Sequence, residues 1–163
     1  MSKKATHPRM ITKSMQPFGV EPRAGDEYFA NGIFEFNITM MNAYIDSHPE
    51  EFQNVKINVE RYEKTFRRSE INRQYVEDAD INRPVILAEI APDRLYHGYP
   101  TIDQDFYSRG YNLIDGHNRL HKAHQLGHEE IWAWVLPMEQ HCRFMFKGFE
   151  KYMEYWNDKL GIK

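Results

Sequence analysis

The sequence predicts an α+β domain in which a mixed sheet is flanked by helices and a C-terminal amphipathic helix follows. Apolar and polar residues alternate in residues 34–38 and again in residues 55–59, which is typical of strands with one covered face. Residues 85–90 are apolar apart from Glu89, and such a run indicates a strand covered on both faces. Apolar residues at helical spacing recur near the end of the chain.

Length and composition fit one domain with an N-terminal extension. The chain has 163 residues, of which 41% are hydrophobic and 14% aromatic, and this is enough to bury a core. Residues 1–25 contain prolines and glycines without apolar periodicity, so we interpret them as a flexible leader or as an arm laid over the domain. The domain is then expected to occupy residues 26–163.

Helical patterns follow the first two strands. Residues 40–45 carry apolar side chains at helical intervals, which predicts a helix directly after the first strand. Residues 47–50, Ser-His-Pro-Glu, have the form of a capping box with proline in the first turn, so a second short helix is predicted through Phe52. After the strand at residues 55–59, a polar helix is predicted for residues 69–76.

Residues 91–110 separate the apolar strand from the next one and are rich in tyrosine, aspartate, glycine and proline. Loops of this length in a compact domain are usually functional or mobile. We interpret the segment as a lid or a substrate-binding insertion that emerges directly before the site described below, and a long β-hairpin is the alternative. The polar residues that it would bring to a ligand are Asp93, Arg94, His97, Asp103 and Asp105.

The C-terminal helix is predicted for residues 143–160. Its apolar stripe consists of Phe149, Met153, Trp156 and Leu160. We interpret the stripe as core packing, and the interface of a homodimer is the alternative.

One junction between a strand and a helix carries polar residues that indicate a binding site. The apolar pair Leu113 and Ile114 is followed by Asp115 and Gly116, and a helical pattern then extends to Gly127. Backbone N–H groups in the first turn of a helix lack internal partners and carry partial positive charge. The junction therefore favours a phosphate or a carboxylate.

The residues of this junction suit different tasks. Asp115 is predicted to cap the helix through its carboxylate, and Gly116 allows a ligand to approach the backbone. Because a cap and a phosphate compete for the same donors, we expect Asp115 to act on a phosphate through Mg²⁺ or a ligand hydroxyl. Arg119 lies on the apolar side of the helix, where its head needs a partner, and its planar fork suits phosphate. The alternative is a chance Asp-Gly cap followed by an arginine that extends past its apolar neighbours.

Residues 114–123, Ile-Asp-Gly-His-Asn-Arg-Leu-His-Lys-Ala, are followed by Leu-Gly and by the strand-like residues 130–135. This arrangement resembles the signature of the ParB/sulfiredoxin superfamily in its Asp-Gly-His-His-Arg form, and residues 84–90 resemble the strand that precedes it. The resemblance covers residues 55–136. It implies a compact ParB/sulfiredoxin-like domain that binds a nucleotide phosphate at the helix start, for DNA partition, sulfinic acid repair, phosphorylation of a free amino acid or nuclease activity.

Departures from the family pattern select among these branches. Sulfiredoxin has its catalytic cysteine at the position of His117, whereas the only cysteine here is Cys142, so sulfinic acid repair is not expected. Partition proteins continue into a helix-turn-helix domain, whereas here one aromatic-rich helix follows, so a partition protein is not expected either. The Asp-Gly-His-x-Arg form is closer to the small-molecule kinase branch, although Asn118 stands where that branch has its second histidine.

The resemblance thus implies a nucleotide-dependent phosphotransferase or phosphohydrolase with Mg²⁺ and ATP, ADP or CTP as cofactors and a small molecule as acceptor. The phosphate-binding residues would be Gly116, His117, Asn118 and Arg119. Asp115 would hold Mg²⁺ through the phosphate or accept a proton, His117 would bond the transferred group, and Glu89 is a candidate general base. The alternative is a non-catalytic nucleotide-binding or DNA-associated regulator, or a nuclease.

Charge and hydropathy weigh against two classes of partner. The 21 lysines and arginines are balanced by 24 acidic residues, a net charge of −3, whereas duplex-binding modules are normally basic, so DNA is not favoured. No apolar run approaches the roughly 18 residues of a membrane span, and no signal-like stretch follows the N-terminus. We therefore expect no membrane partner and a cytoplasmic location.

Further histidines follow the motif along the predicted helix. His117, His121 and His124 lie within about 60° of one another on a helical wheel, and two histidines four residues apart can bind one metal ion. The sequence does not indicate where the remaining zinc ligands would come from. We therefore interpret these histidines as polar residues of a helix face.

Overall fold

The computed structural model describes residues 9–19, 21–65, 71–90, 106–107 and 109–160, without the side chains of residues 159 and 160. The strands are β1 (Tyr28–Ala30), β2 (Glu35–Asn37), β3 (Gln53–Asn58), β4 (Val85–Glu89), β5 (Tyr111–Asp115), β6 (Glu130–Leu136) and β7 (Met145–Lys147). The helices are α1 (Ile38–Ser47), α2 (Val59–Glu63), α3 (Arg73–Val76), α4 (His117–Gln125), α5 (Met138–His141) and α6 (Phe149–Leu160). Within this part of the chain no helix is long and apolar enough to span a bilayer.

The strands form two sheets. The larger one has four strands in the order β3-β6-β4-β5, and β4 is parallel to β6 while the other neighbours are antiparallel. The smaller one has three antiparallel strands in the order β1-β2-β7. A mixed sheet flanked by helices and a C-terminal helix confirm the α+β class that the sequence predicts.

The larger sheet separates two clusters of buried side chains. On one face, Ile86 and Ala88 of β4 pack into a cluster that includes residues of α1, α5, α6 and the small sheet. On the other face, Val85 and Leu87 pack into a cluster that includes residues of α2 and α4. Every residue of β4 is buried, which explains why the sequence of this strand lacks alternation.

Asn37 and Asn58 are each the last residue of a strand and the N-cap of the helix that follows. The side-chain Oδ1 of Asn37 accepts a hydrogen bond from Met40 N at 3.0 Å, and that of Asn58 accepts one from Arg61 N at 2.8 Å. Asparagine is a preferred N-cap because its oxygen satisfies an N–H group of the first turn. The predicted strands therefore end earlier than the apolar alternation suggests, before Ile38 and Val59.

The capping box predicted at residues 47–50 is wrong. Ser47 is the last residue of α1, and its hydroxyl donates to the carbonyl of Ala43 at 2.6 Å instead of capping the next helix. Residues 49–51 form a single 3₁₀ turn that His48 precedes. Of the polar helix predicted at residues 69–76, the structure shows α3 from Arg73, and residues 66–70 lie outside the described part.

The C-terminal helix starts at Phe149, not at residue 143. Residues 142–144 form a 3₁₀ turn and β7 follows, because β7 pairs with β2 and Gly148 then redirects the chain with a φ of +84°. The centre of the buried face is Tyr152 with Trp156, each 1% exposed, while Phe149 and Met153 of the predicted stripe are partly buried.

The N-terminal segment packs on α6. The indole N–H of Trp156 donates to the carbonyl of Arg9 at 2.8 Å, and Asn157 exchanges two hydrogen bonds with the backbone of Ile11. The Ile11 side chain is 2% exposed. Residues 9–11 therefore form an arm laid over the domain, while residues 1–8 lie outside the described residues.

We predict that Gly148→Ala destabilises the fold by about 3 kcal/mol, since a Cβ there would lie 2.1 Å from the carbonyl oxygen of Ile33 in addition to the strain of positive φ. Gly127→Ala is the matched control, because Gly127 has a φ of +80° but no atom within 4 Å of that Cβ position. It should lose about 1 kcal/mol. Urea unfolding measures the free energy of unfolding of both variants. Equal decreases for Gly148→Ala and Gly127→Ala would contradict the steric explanation.

Candidate functional site

The helix start after Asp115 is capped by backbone geometry and not by a side chain. Asp115 is the last residue of β5, and Gly116 is the N-cap of α4 with a φ of +101° and no side-chain hydrogen bond to the helix. The prediction that Asp115 caps the helix is therefore wrong. Because Leu120 N makes the hydrogen bond to Gly116 O, the N–H groups of Asn118 and Arg119 have no intrahelical acceptor.

A bulge in β5 determines where the Asp115 carboxylate points. The register pairs Ile86 with Asp115 but Leu87 with Leu113, so Ile114 is an extra residue on β5. A bulge of this kind redirects the side chain that follows it. Asp115 thereby faces α1, where Asn42 Nδ2 donates to Asp115 Oδ2 at 3.0 Å.

The side chain of Arg119 contacts Asp115, four positions before it in the sequence. Its NH2 group lies 3.3 Å from Asp115 Oδ2 and 3.3 Å from the carbonyl oxygen of Pro84. The two charged side chains are 15% and 16% exposed, so they are neither free in solvent nor sealed from it. Arg119 Nε is buried without a hydrogen-bond partner in the described part of the chain. The structure thus gives Arg119 an internal partner and leaves part of its donor capacity unused.

Gly116 brings the backbone into close contact with both neighbours. A Cβ at this position would lie 2.5 Å from Val85 Cγ1 and 2.8 Å from Arg119 NH2, so only glycine fits. Gly116, His117, Asn118 and Arg119 are all partly exposed. The helix start is therefore partly exposed, with no space between Gly116 and its neighbours for a larger side chain.

Asn118 has a structural contact in addition to its place in the motif. Its Oδ1 accepts a hydrogen bond from the backbone N–H of Asn72 at 2.9 Å, which fastens the start of α3 to the start of α4. His117 occupies the first position of α4 and is partly exposed. The structure thus brings together Asp115, Gly116, His117, Asn118 and Arg119.

Glu89 does not belong to this group. It pairs with Tyr111 across the sheet, three positions along β4 from the pair of Ile86 with Asp115, a separation of about 10 Å. Ile90 and Tyr111, which flank the insertion, also lie at this far end. The polar residues predicted for the insertion, at positions 93–105, lie outside the described residues, so its role as a lid or substrate-binding segment stays a prediction.

The Glu89 carboxylate already has strong partners. It is 5% exposed, forms an ion pair with Arg9 and accepts a hydrogen bond from Met138 N at 3.0 Å. Arg9 also pairs with Glu139 at 3.0 Å. Arg9 lies 80 positions from Glu89, and no sequence pattern signalled this contact. The geometry gives Glu89 a role in holding the arm.

Two titratable groups beside Glu89 are strongly perturbed. Burial lowers the pKa of His141 to about 4, and its Nε2 donates to the carbonyl of Glu89 at 2.6 Å. Burial, helped by the Glu89 charge, raises the pKa of Tyr111 to about 12. His141 is therefore neutral and Tyr111 protonated at neutral pH.

A magnesium ion fits Asp115 only together with a phosphate. The described residues contain no group of three or more His, Cys, Asp or Glu side chains able to hold a metal by themselves. Mg²⁺ commonly binds one or two carboxylates together with phosphate oxygens and water. Asp115 Oδ1, which has no donor within the described part of the chain, suits such a site.

We predict that His141 destabilises the fold in acid. The His141 ring takes up a proton below pH 6.5 in the unfolded chain, but only near pH 4 in the folded chain. The free energy of unfolding therefore falls by about 3 kcal/mol in total as the pH drops through that window. His141→Gln, which keeps a donor for the Glu89 carbonyl, should show a shallower pH dependence in urea unfolding. The exposed His124→Gln should match wild type, and identical slopes for all three proteins would contradict the assignment.

Comparison of the chain with protein-family models, curated proteins and solved structures finds no match. The resemblance of residues 114–123 to the ParB/sulfiredoxin signature therefore stays a prediction. A function has to be inferred from the geometry around Gly116.

Proposed function

We propose that the start of α4 binds a phosphate group of a nucleotide and that the protein is a nucleotide-dependent phosphotransferase or phosphohydrolase acting on a small molecule. One observation carries the proposal: the N-terminus of α4 has no side-chain cap, and it begins at a glycine where no Cβ fits. Unpaired N–H groups at a helix start attract anions. The open donors after Gly116 lie beside Arg119 and Asp115, which are the residue types that bind phosphate and its metal ion.

Arg119 supports phosphate binding through its unused donors. Its guanidinium is held by Asp115 and Pro84 through NH2 alone, while NH1 makes no hydrogen bond within the described part of the chain and is not one of the buried unpaired atoms. A planar guanidinium can bond a carboxylate and a phosphate at the same time. The ion pair with Asp115 therefore positions Arg119 in advance, which reduces the entropy lost on binding.

Asp115 is the residue that would hold Mg²⁺, and the ion would neutralise charge on the phosphates when bound. Asn42 and Arg119 fix Oδ2 of the carboxylate and so orient Oδ1. His117, at the first position of α4, would donate to the group in transfer. We assign Glu89 no part in this chemistry because it lies at the other end of β4.

The resemblance to the ParB/sulfiredoxin superfamily supports the same ligand, since it implies a nucleotide phosphate at this helix start. ATP, ADP and CTP are the nucleotides to test first. The proposal implies a cytoplasmic protein, because nucleotides and Mg²⁺ are abundant there.

A non-catalytic nucleotide-binding regulator is the second candidate. It is favoured by the ion pair of Asp115 with Arg119, which already gives the carboxylate an internal partner. The net charge of −3 gives no support to DNA as its partner. Turnover of the nucleotide distinguishes the two candidates.

We predict that Arg119→Ala weakens nucleotide binding by at least about 10-fold, because a hydrogen bond to a charged group contributes about 1.5–3 kcal/mol. Isothermal titration with ATP, ADP and CTP measures this effect. Arg143→Ala is the matched control, since Arg143 is also partly buried and bonds a backbone carbonyl, that of Gln16 at 3.1 Å. Equal affinities of the two variants would refute the phosphate site.

We predict that Asp115→Asn releases phosphate at least about 100-fold more slowly than wild type in the presence of Mg²⁺. The amide oxygen can still accept the hydrogen bond from Asn42, so the fold should be retained. Without Mg²⁺ the nucleotide affinity should stay close to that of wild type. Wild-type protein that binds nucleotide without turnover would favour the regulator, and plasmid nicking that Asp115→Asn abolishes would indicate a nuclease.

A further inference from the structure

A surface cavity of about 670 Å³ lies along α4, next to the candidate phosphate site. Its walls come from α2, α3 and α4 and include Glu63, Arg73, Glu77 and His121. The cavity begins one helical turn beyond the start of α4, since His121 follows His117 by four positions, a rise of about 6 Å. The hydrogen bond from Asn72 to Asn118 holds α3 at the end nearest the phosphate site.

His121 and Glu63 form an oriented pair in the cavity wall. His121 Nδ1 lies 2.8 Å from Glu63 Oε1, and the two side chains are 22% and 17% exposed. An ionised carboxylate only accepts, so Nδ1 is the atom that donates, and Nε2 of the neutral ring is left as the proton acceptor. No described residue bonds Nε2, and Nε2 is not one of the buried unpaired atoms, so it is accessible from the cavity.

The second oxygen of Glu63 is also unsatisfied. Oε2 is buried without a partner in the described part of the chain. A structural ion pair would be expected to satisfy both oxygens of a buried carboxylate, because an unpaired one costs free energy. This cost indicates that the pair of Glu63 with His121 is kept for more than the stability of the fold. Arg73 and Glu77 add charges of both signs, so the cavity suits a polar small molecule.

We propose that this cavity holds the phosphate acceptor and that His121 is the general base, with Glu63 as its positioning residue. The inference rests on the proposed function, because it assigns the acceptor site of the same reaction. The acceptor hydroxyl gives its proton to Nε2 of His121 as its oxygen bonds the terminal phosphorus of a nucleoside triphosphate. The bond from that phosphorus to the bridging oxygen breaks, the nucleoside diphosphate leaves with the electron pair, and the imidazolium returns its proton to solvent.

Chemical rescue tests this role with ATP and Mg²⁺. His121→Ala should bind ATP within about twofold of wild type but lower kcat by about 100-fold or more, and added imidazole should restore the rate in proportion to its concentration. Glu63→Gln should lower kcat by about 10-fold, because the amide loses the charge that stabilises the imidazolium and no longer selects one tautomer of the ring. His124→Ala, an exposed histidine of the same helix, should keep the wild-type rate. Release of free phosphate from ATP would show that water is the acceptor. Formation of a phosphorylated product after addition of glycerol would show that an alcohol is the acceptor.

Three outcomes would overturn the inference, and they differ in what else they contradict. If wild type binds ATP and turns it over but His121→Ala does so equally well, the general base lies elsewhere and the proposed function stands. If kcat falls and imidazole does not restore it, His121 has a structural role. If wild type does not bind nucleotide at all, the proposed function fails and the acceptor site fails with it.

Discussion

The burial of β4 on both faces is the constraint on which the rest of the structure depends. Its four apolar residues, Val85–Ala88, divide their side chains between two clusters, so helices must cover both sides of the sheet. Two groups of partnered polar side chains lie at the two ends of this strand. Asp115 and Arg119 meet Pro84 at one end, and Glu89 meets Arg9 at the other. One buried strand therefore separates a candidate ligand site from the ion pair that holds the N-terminal arm on the domain.

The two polar ends differ in how far their side chains are exposed. At the Glu89 end, the carboxylate is 5% exposed and has a guanidinium and a backbone N–H as partners, and His141 is held neutral by burial. At the Asp115 end, the side chains of Arg119 and Asp115 are 15% and 16% exposed, and Gly116, His117 and Asn118 are partly exposed. Polar groups at the Asp115 end can therefore meet a ligand, whereas Glu89 is covered. This contrast is why we locate function at the start of α4.

Patterns local in sequence predicted the elements well, and contacts distant in sequence were missed. The pattern of apolar residues, alternating or unbroken, was sufficient for α1, β3, β4 and β6, because burial acts on neighbouring residues. The ends of the strands at Asn37 and Asn58 were missed, although a cap residue before the helix was visible in both cases. The five motif residues from Asp115 to Arg119 do lie together. The bulge that turns Asp115 toward α1, and the pairing of Glu63 with His121, depend on tertiary packing that no single segment encodes.

The arm over α6 has a consequence for synthesis on the ribosome. Residues 9–11 leave the exit tunnel long before Trp156 and Asn157, which bind their backbone, because Ile11 and Asn157 are 146 positions apart. Until α6 has been made, its hydrogen bonds cannot hold Arg9 beside the Glu89 carboxylate. Segments far apart along the chain must therefore meet before the domain is complete, and the arm can dock fully only after α6 has been synthesised.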